Sequence, residues 1–545
     1  MSPIGATTDS ATRGNRCELI AVLLVVVATI CRVWLMSLSS GFARDEAGLL
    51  WVTADGAQAI WERVVHFPQS LLYSYVILAL ERGIGSAEWV LRTPSLLASI
   101  GTIVIVGRFV SARLGWTAAA YAVLCWLSWN EGVAVGNAVR PYALGVFTFV
   151  VSWFTLVRWM ESPTKRGAIL WALASGLPGL FSVFFLPTVA CQGLFLIART
   201  KENCTWRETA REVWFPSATA LAVQVPAVYF LYAVRPGAAL HSYLPKPTFV
   251  AFLDFLLPLR IGLALALLLT FGQIVRGTRS MAGGTLRDAY MTSRTQLRKP
   301  IVLTGAVQAV ATIVVVCVVS ALPNAPSLCA PRYMLGALMS QAVCLGVVIA
   351  ACGSPLLRVS AMTTVLLVGL AGHWQVSKLL ARDGADWRVA KDVDWRSAGH
   401  VAVEAAHAEA VTAFGVPVFA EALKLRYPLA LWDSECLLYP YSVYGSALRP
   451  IPPPEAPDGE EALRVFCEER LAEGGRFVLV RHEIWSMTRL RAVLNSQFEP
   501  RLLWQGNGVA VELWQKRTVS ADADGAEREG TELRAVSRAS VQSPV

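Results

Sequence analysis

Apolar runs separated by short basic or aromatic breaks fill the first two-thirds of the chain. They cover Leu19 to Ser40, Leu91 to Phe109, Trp116 to Trp129, Tyr142 to Trp159, Ile169 to Pro178 and Phe181 to Ile197. They continue over Trp214 to Val234, Phe249 to Ile274, Ile301 to Leu322, Tyr333 to Ala351 and Met362 to Lys378. Many approach the roughly 20 residues that an α-helix needs to cross a hydrocarbon core, so the pattern predicts about eleven crossings. The fold class expected is an α-helical polytopic membrane protein with a C-terminal extracytoplasmic α/β domain.

The basic residues give the crossings a direction. Arg13 and Arg16 precede the first run, Arg108 and Arg113 close the second, and Arg158, Lys165 and Arg166 follow the fourth. Arg199, Lys201, Arg207 and Arg211 form the next cluster, and Arg276, Arg279, Arg287, Arg294, Arg298 and Lys299 the largest. Alternating crossings put all of these on one side, which the positive-inside rule makes the cytoplasm. The N-terminus, residues 1–16, is then cytoplasmic. The first run has no small-residue cleavage site and reads as a retained helix. It carries Arg32, a charge that needs a partner within the membrane.

Residues 41–90 form a long first outer loop. The first helix ends in Gly41-Phe42-Ala43-Arg44-Asp45-Glu46, and a polar, Trp-rich stretch with Asp55 and Glu62 continues to His66-Phe67-Pro68. Leu71 to Leu80 is apolar but too short to cross, and reads as a helix in or near the interface. The membrane domain spans 17–378. From Leu379 the composition turns polar, and 379–516 has the length of a small outer domain. Val389 to Ala406 has helical character, and Arg476 to Arg481 and Val509 to Trp514 read as strands. Residues 517–545 lack apolar periodicity and read as a disordered tail.

Composition narrows the class further. Of 545 residues 55% are hydrophobic and 16% charged, and the mean hydropathy is +0.49. Those values exclude an ordinary soluble domain. The net charge of +9 sits in the inner loops, so no nucleic-acid partner is implied. The 11 cysteines have no metal-type spacing and mostly lie in apolar runs. Cys436 and Cys467 share the outer domain, where they either pair or remain two buried thiols.

The predicted topology gathers unusual side chains at helix mouths on the outer face: Asp45, Glu46, His66, Glu88, Arg92, Arg140, Tyr142, Arg332 and Tyr333. A carboxylate there can act as general base on a hydroxyl. Arginine matches phosphate oxygens bidentately, and interfacial tyrosine presents an apolar ring with a polar tip. Taken singly, the arginines and tyrosines also fit interface anchors and an aromatic belt, and Glu88 a solvated helix end. Their shared location favours a site for a donor with a phosphate at the water boundary and an apolar tail in lipid.

The order of these motifs resembles the GT-C membrane glycosyltransferases, the group that includes protein O-mannosyltransferases and lipid A aminoarabinose transferases. The likeness rests on an Arg-containing first helix, then Asp45-Glu46, then His66-Phe67-Pro68. It continues through Gly85 to Leu97 with Glu88, Arg92, Pro94 and Ser95, Ala138 to Leu144, Pro331-Arg332-Tyr333 and Asp394-Trp395-Arg396. The resemblance implies transfer of a sugar, with inversion, from a polyprenyl-phosphate donor to a lipid, glycan or protein acceptor outside the cytoplasm; the simple topology and the outer α/β domain point to a bacterial inner membrane. It implies Asp45 as catalytic base with Glu46 as its neighbour. It implies Arg92, Arg140 and Arg332 with Tyr142 and Tyr333 as donor-phosphate residues, and Glu88 as acceptor-side or accessory. In some relatives the residue before the Pro joins the Asp in holding a divalent metal, here Asp45 with His66; no other cofactor is implied. Pro178 to Pro187 departs from the family pattern, lacking the His- or Tyr-rich element many relatives carry there.

Three other readings stay open on sequence. A flippase for lipid-linked sugars would also need arginines for phosphate, though it usually shows internal repeats. A membrane-anchored binding protein would not need so many crossings. A sugar polymerase is chemically close to the main reading.

Overall fold

The computed structural model describes residues 20–28, 30–35, 38, 42, 44–66, 70–200, 215–233, 246–256, 299–322, 327–352, 355–372, 395–416, 441, 448–451, 459–482, 488–506 and 509–517. Within these the chain is mostly helical and ends in a mixed sheet of five strands. Cys436, most of the run from Phe249 to Ile274, the terminal segments and the side chain of Arg32 lie outside the described residues.

Three short helices follow the first run: α1 (Arg44–Thr53), α2 (Ala57–His66) and α3 (Leu71–Gly83). The bundle then comprises α4 (Glu88–Leu114), α5 (Trp116–Leu127), α6 (Asn130–Ala134), α7 (Tyr142–Glu161), α8 (Lys165–Phe181), α9 (Leu186–Thr200), α10 (Phe215–Ala233), α11 (Phe249–Phe255), α12 (Pro300–Ala321), α13 (Leu335–Ala350) and α14 (Pro355–Gly372). Among the described residues three helices, α4, α7 and α12, are long and apolar enough to cross a membrane, and α5 and α13 are shorter apolar helices.

Helix α12 shows the environment most directly. Leu303, Val310, Val314 and Val318 on one face are exposed, while Thr304, Gln308, Thr312 and Ser320 are fully buried. This inverts the pattern of a water-soluble helix. The buried hydroxyls are used between helices: Trp153 Nε1 donates to Thr304 Oγ1 at 2.7 Å, and Thr312 and Thr188 hydroxyls lie 3.2 Å apart. Small residues bring helices close, as expected inside lipid. A Cβ at Gly346 of α13 would collide with the backbone of Ala122 in α5.

The two ends of the bundle differ in chemistry. Arg113 at the end of α4 pairs with Glu161 at the end of α7, and Lys299 at the start of α12 donates to the Arg113 carbonyl. These are groups predicted to face the cytoplasm. The opposite end holds the starts of α4, α7 and α13 and the end of α12.

The C-terminal domain contains α15 (Trp395–Ala408), β1 (Ala413–Gly415), β2 (Arg449–Pro450), α16 (Gly459–Ala472), β3 (Arg476–His482), α17 (Thr488–Gln497), β4 (Phe498–Gly506) and β5 (Val509–Lys516). The strand order is β2-β1-β3-β5-β4, with β1 parallel to β2 and β3, and β5 antiparallel to β3 and β4. Alternate residues of β3 serve opposite faces, as the pleat requires. Phe477 and Leu479 pack with Leu463, Phe466, Cys467 and Leu494 of α16 and α17. Val478 and Val480 pack with Trp395, Ala398 and Ala402 of α15, in a cluster that also holds Trp51 and Val52 of α1 and Ile60 and Val64 of α2. Helices α1 and α2 are therefore wedged between the bundle and the sheet.

Helix ends fall close to the apolar runs, with two differences. Helix α14 starts at Pro355, ahead of the expected Met362, because Arg358 is buried and donates to the Cys352 carbonyl at 3.4 Å. Strand β4 carries no alternating pattern and forms by pairing along β5, with a register shift between Leu502 and Trp504.

Replacing Gly346 by Leu should force α5 and α13 apart and cost about 1–3 kcal/mol, the usual range for overpacking. The thermal midpoint of the detergent-solubilised protein should fall, whereas Gly107→Ala, where nothing lies within 4 Å, should leave it unchanged.

Candidate active site

Asp45 and Glu46 stand in the first turn of α1. Phe42, Leu49 and Leu50 pack against Tyr73 and Ile77 of α3, Leu91 of α4 and Val139 ahead of α7. That cluster places the start of α1 against two bundle helices. Glu46 accepts hydrogen bonds from both Arg92 and the Val139 amide. Its Oε1 accepts from Arg92 Nε at 3.2 Å and from the Val139 amide at 2.7 Å, and its Oε2 accepts from Arg92 Nη2 at 2.7 Å. Arg92 also donates to the Leu38 carbonyl at 2.9 Å and lies 5.4 Å from the Phe42 ring centroid. Side-chain exposure is 0% for Arg92 and 2% for Glu46, so the pair is held without water.

One turn beyond Arg92, Ser95 extends the network. Its hydroxyl donates to the Arg140 carbonyl at 3.2 Å and lies 3.2 Å from the Tyr73 hydroxyl. Since Ser95 has one proton to give, Tyr73 is the donor in the second contact. Burial raises the Tyr73 phenol well above its usual pKa, more than the Ser95 hydrogen bond lowers it. It therefore stays protonated, as this role requires.

Arg140 and Arg332 are built alike. The Arg140 guanidinium lies 5.2 Å from the Tyr142 ring centroid and donates to its hydroxyl at 3.2 Å. Arg332, in the 3₁₀ turn Pro331–Tyr333, lies 5.3 Å from the Tyr333 ring centroid. Tyr333 stacks on Phe184 with centroids 3.8 Å apart. The neighbouring Phe185 ring comes so close to Gly145 of α7 and Gly336 of α13 that a Cβ at either would crowd it. The Val183–Phe185 turn thus bridges the two Arg–Tyr pairs. It lies within the segment Pro178 to Pro187.

The structure brings Glu46, Arg92, Arg140, Tyr142, Arg332 and Tyr333 to one end of the bundle. Glu88 lies there too, in the first turn of α4, but faces the C-terminal domain and pairs with Arg396 of α15. Asp45 and His66 are placed by backbone only, at the start of α1 and the end of α2; their side chains lie outside the described residues. Tyr73, Phe184 and the Val139 amide were not singled out from sequence. Ser95 sits inside a quoted motif without a role, and its spacing from Arg92, one helical turn, was the available signal.

Asp45 and His66 supply two donors where a site needs more, and the adjacent carboxylate of Glu46 is committed to Arg92. Among the described residues no group of three or more His, Cys, Asp or Glu could hold a metal ion.

Two solved structures resemble the chain. One is the crystal structure of ArnT from Cupriavidus metallidurans in the apo state, with a TM-score of 0.49 and 13% identity, covering 92% of this chain and 98% of that one. The other is ArnT from Cupriavidus metallidurans bound to undecaprenyl phosphate, with a TM-score of 0.46 and 14% identity, covering 90% of this chain and 97% of that one. No family model and no curated protein matches.

Two measurements probe the contacts of this end. Arg92→Met leaves Glu46 buried without its partner and should cost about 3–5 kcal/mol. Arg92→Met combined with Glu46→Gln should recover part of that loss, read as the thermal midpoint of purified protein. At the domain junction Arg396 is 39% exposed, so Arg396→Glu should cost only about 0.5–1 kcal/mol. It should nevertheless speed proteolytic separation of the C-terminal domain, and adding Glu88→Arg should reverse that effect.

Proposed function

We propose that the chain is an integral-membrane glycosyltransferase that moves a sugar from a polyprenyl-phosphate donor to an extracytoplasmic lipid, glycan or protein acceptor. One observation carries the reading. The turn that bears Asp45 is locked by the Glu46–Arg92 pair at the same end of the bundle as two Arg–Tyr pairs. In this proposal residues 17–378 form the membrane domain with about eleven crossings of roughly 20 residues each. Residues 379–516 form the outer domain, and the site faces away from the cytoplasm of a bacterial inner membrane.

Asp45 is the general base. Its carboxylate takes the proton of the acceptor hydroxyl as that oxygen attacks the anomeric carbon. The bond from the anomeric carbon to the phosphate oxygen breaks, and the leaving phosphate takes the electron pair. Arg140 and Arg332 hold the growing charge through their guanidinium groups, with Tyr142 and Tyr333 fixing those groups in place. A single displacement inverts the anomeric configuration. Glu46 and Arg92 are positioning residues: they orient the turn that carries Asp45, and Arg92 serves Glu46 in place of the phosphate.

The test is transfer of label from a polyprenyl-phosphate-linked sugar pool into membrane acceptors, comparing wild type with Asp45→Asn at equal expression. Wild type should transfer and Asp45→Asn should lose about 10²–10⁴-fold or more, the range for a general base. Equal transfer by both would remove Asp45 from the chemistry. Absence of transfer in either, with an intact carrier pool, would favour a flippase.

A further inference from the structure

We propose that Cys317 and Cys329 form a dithiol–disulfide site that fastens the Arg332–Tyr333 turn to helix α12. Their sulfur atoms lie 3.8 Å apart. Cys317 stands about one turn before the end of α12, and Cys329 in the chain entering the Pro331–Tyr333 turn. Both pack in one apolar cluster with Val316, Leu328 and Met334.

The approach does not depend on the sulfurs alone. The Leu328 amide donates to Ser320 Oγ at 2.8 Å, tying the residue before Cys329 to the turn after Cys317. The Ala330 amide donates to the Leu328 carbonyl and the Tyr333 amide to the Ala330 carbonyl, each at 2.9 Å. The Leu328–Ser320 hydrogen bond thus holds the chain at Cys329 beside the last turn of α12. By contrast, Cys125 faces Met362 and Cys344 faces the Val302 carbonyl.

The inference rests on the topology of the proposed function, which puts the end of α12 on the outer, oxidising side. The oxidant is a protein disulfide of that compartment. Cys329, the less buried of the two, loses its proton and attacks one sulfur of that disulfide to give a mixed disulfide. Cys317 then loses its proton, attacks the Cys329 sulfur and expels the oxidant as a dithiol, which carries away two electrons and both protons. The bond formed anchors the chain three residues before Arg332, the group read as holding the donor phosphate.

The full-length protein in intact cells supplies the test. Free thiols are blocked with N-ethylmaleimide, and the protein is denatured with the reagent still present and digested without reductant. The expected result is a Cys317–Cys329 linked peptide, two hydrogens lighter than its two halves, with maleimide on Cys125 and Cys344. Maleimide on both Cys317 and Cys329 in most molecules overturns the proposal. A second arm treats Cys317→Ser cells with a membrane-impermeant maleimide before and after permeabilisation. Labelling of Cys329 in intact cells, together with a negative first arm, rejects the disulfide and leaves the topology standing. Labelling only after permeabilisation puts the turn on the inner face and rejects both.

Discussion

The buried pair between Glu46 and Arg92 is the contact on which the rest of the site depends. Taking both charges out of water costs several kcal/mol per ion, and their mutual attraction does little more than repay it. The pair therefore adds little net stability over two well-packed apolar residues. What it adds is register. A carboxylate that accepts from Arg92 and from the Val139 amide can sit in one place only. The first turn of α1 is thereby fixed against α4 and the entry to α7, and with it the backbone of the neighbouring Asp45.

The same economy governs the two Arg–Tyr pairs. A guanidinium set against a phenol ring keeps its donors while its planar face is covered by an apolar surface. Phe184 and Phe185 join the two pairs through ring stacking and close glycine contacts.

Much of the bundle was legible because a crossing helix must be apolar along its length; α4, α7 and α12 follow directly from that constraint. The network around Glu46 was not legible. Arg92 lies 46 residues from Glu46, and nothing in local spacing distinguishes it from the other outer arginines. The resemblance implies it as a donor-phosphate residue, and its pairing with Glu46 appears only once α1 is seen to pack on α4. The resemblance likewise implies Glu88 as acceptor-side or accessory, and its partner Arg396 belongs to another domain. Strand β4 escaped because an edge strand with Pro500, exposed charges and a register shift has no clean period of two.

The stretch after Asp45 is the most instructive misfit. Its polar and Trp-rich composition reads as a solvated loop, yet Glu46, Ala47, Gly48, Leu49, Leu50, Trp51, Val52 and Thr53 are all buried. Leu49 and Leu50 face the bundle, while Trp51 and Val52 face α15 and the sheet. From Glu46 to Thr53 helix α1 has no solvent face because two domains share it. Its propensity alone would not hold so short a helix; the surfaces on either side do. A change in how the C-terminal domain docks must therefore be felt at α1, since Trp51 lies less than two turns from Asp45 on a rigid element. The C-terminal domain is in this sense part of the candidate site's scaffold, holding α1 from one side while Arg92 holds it from the other.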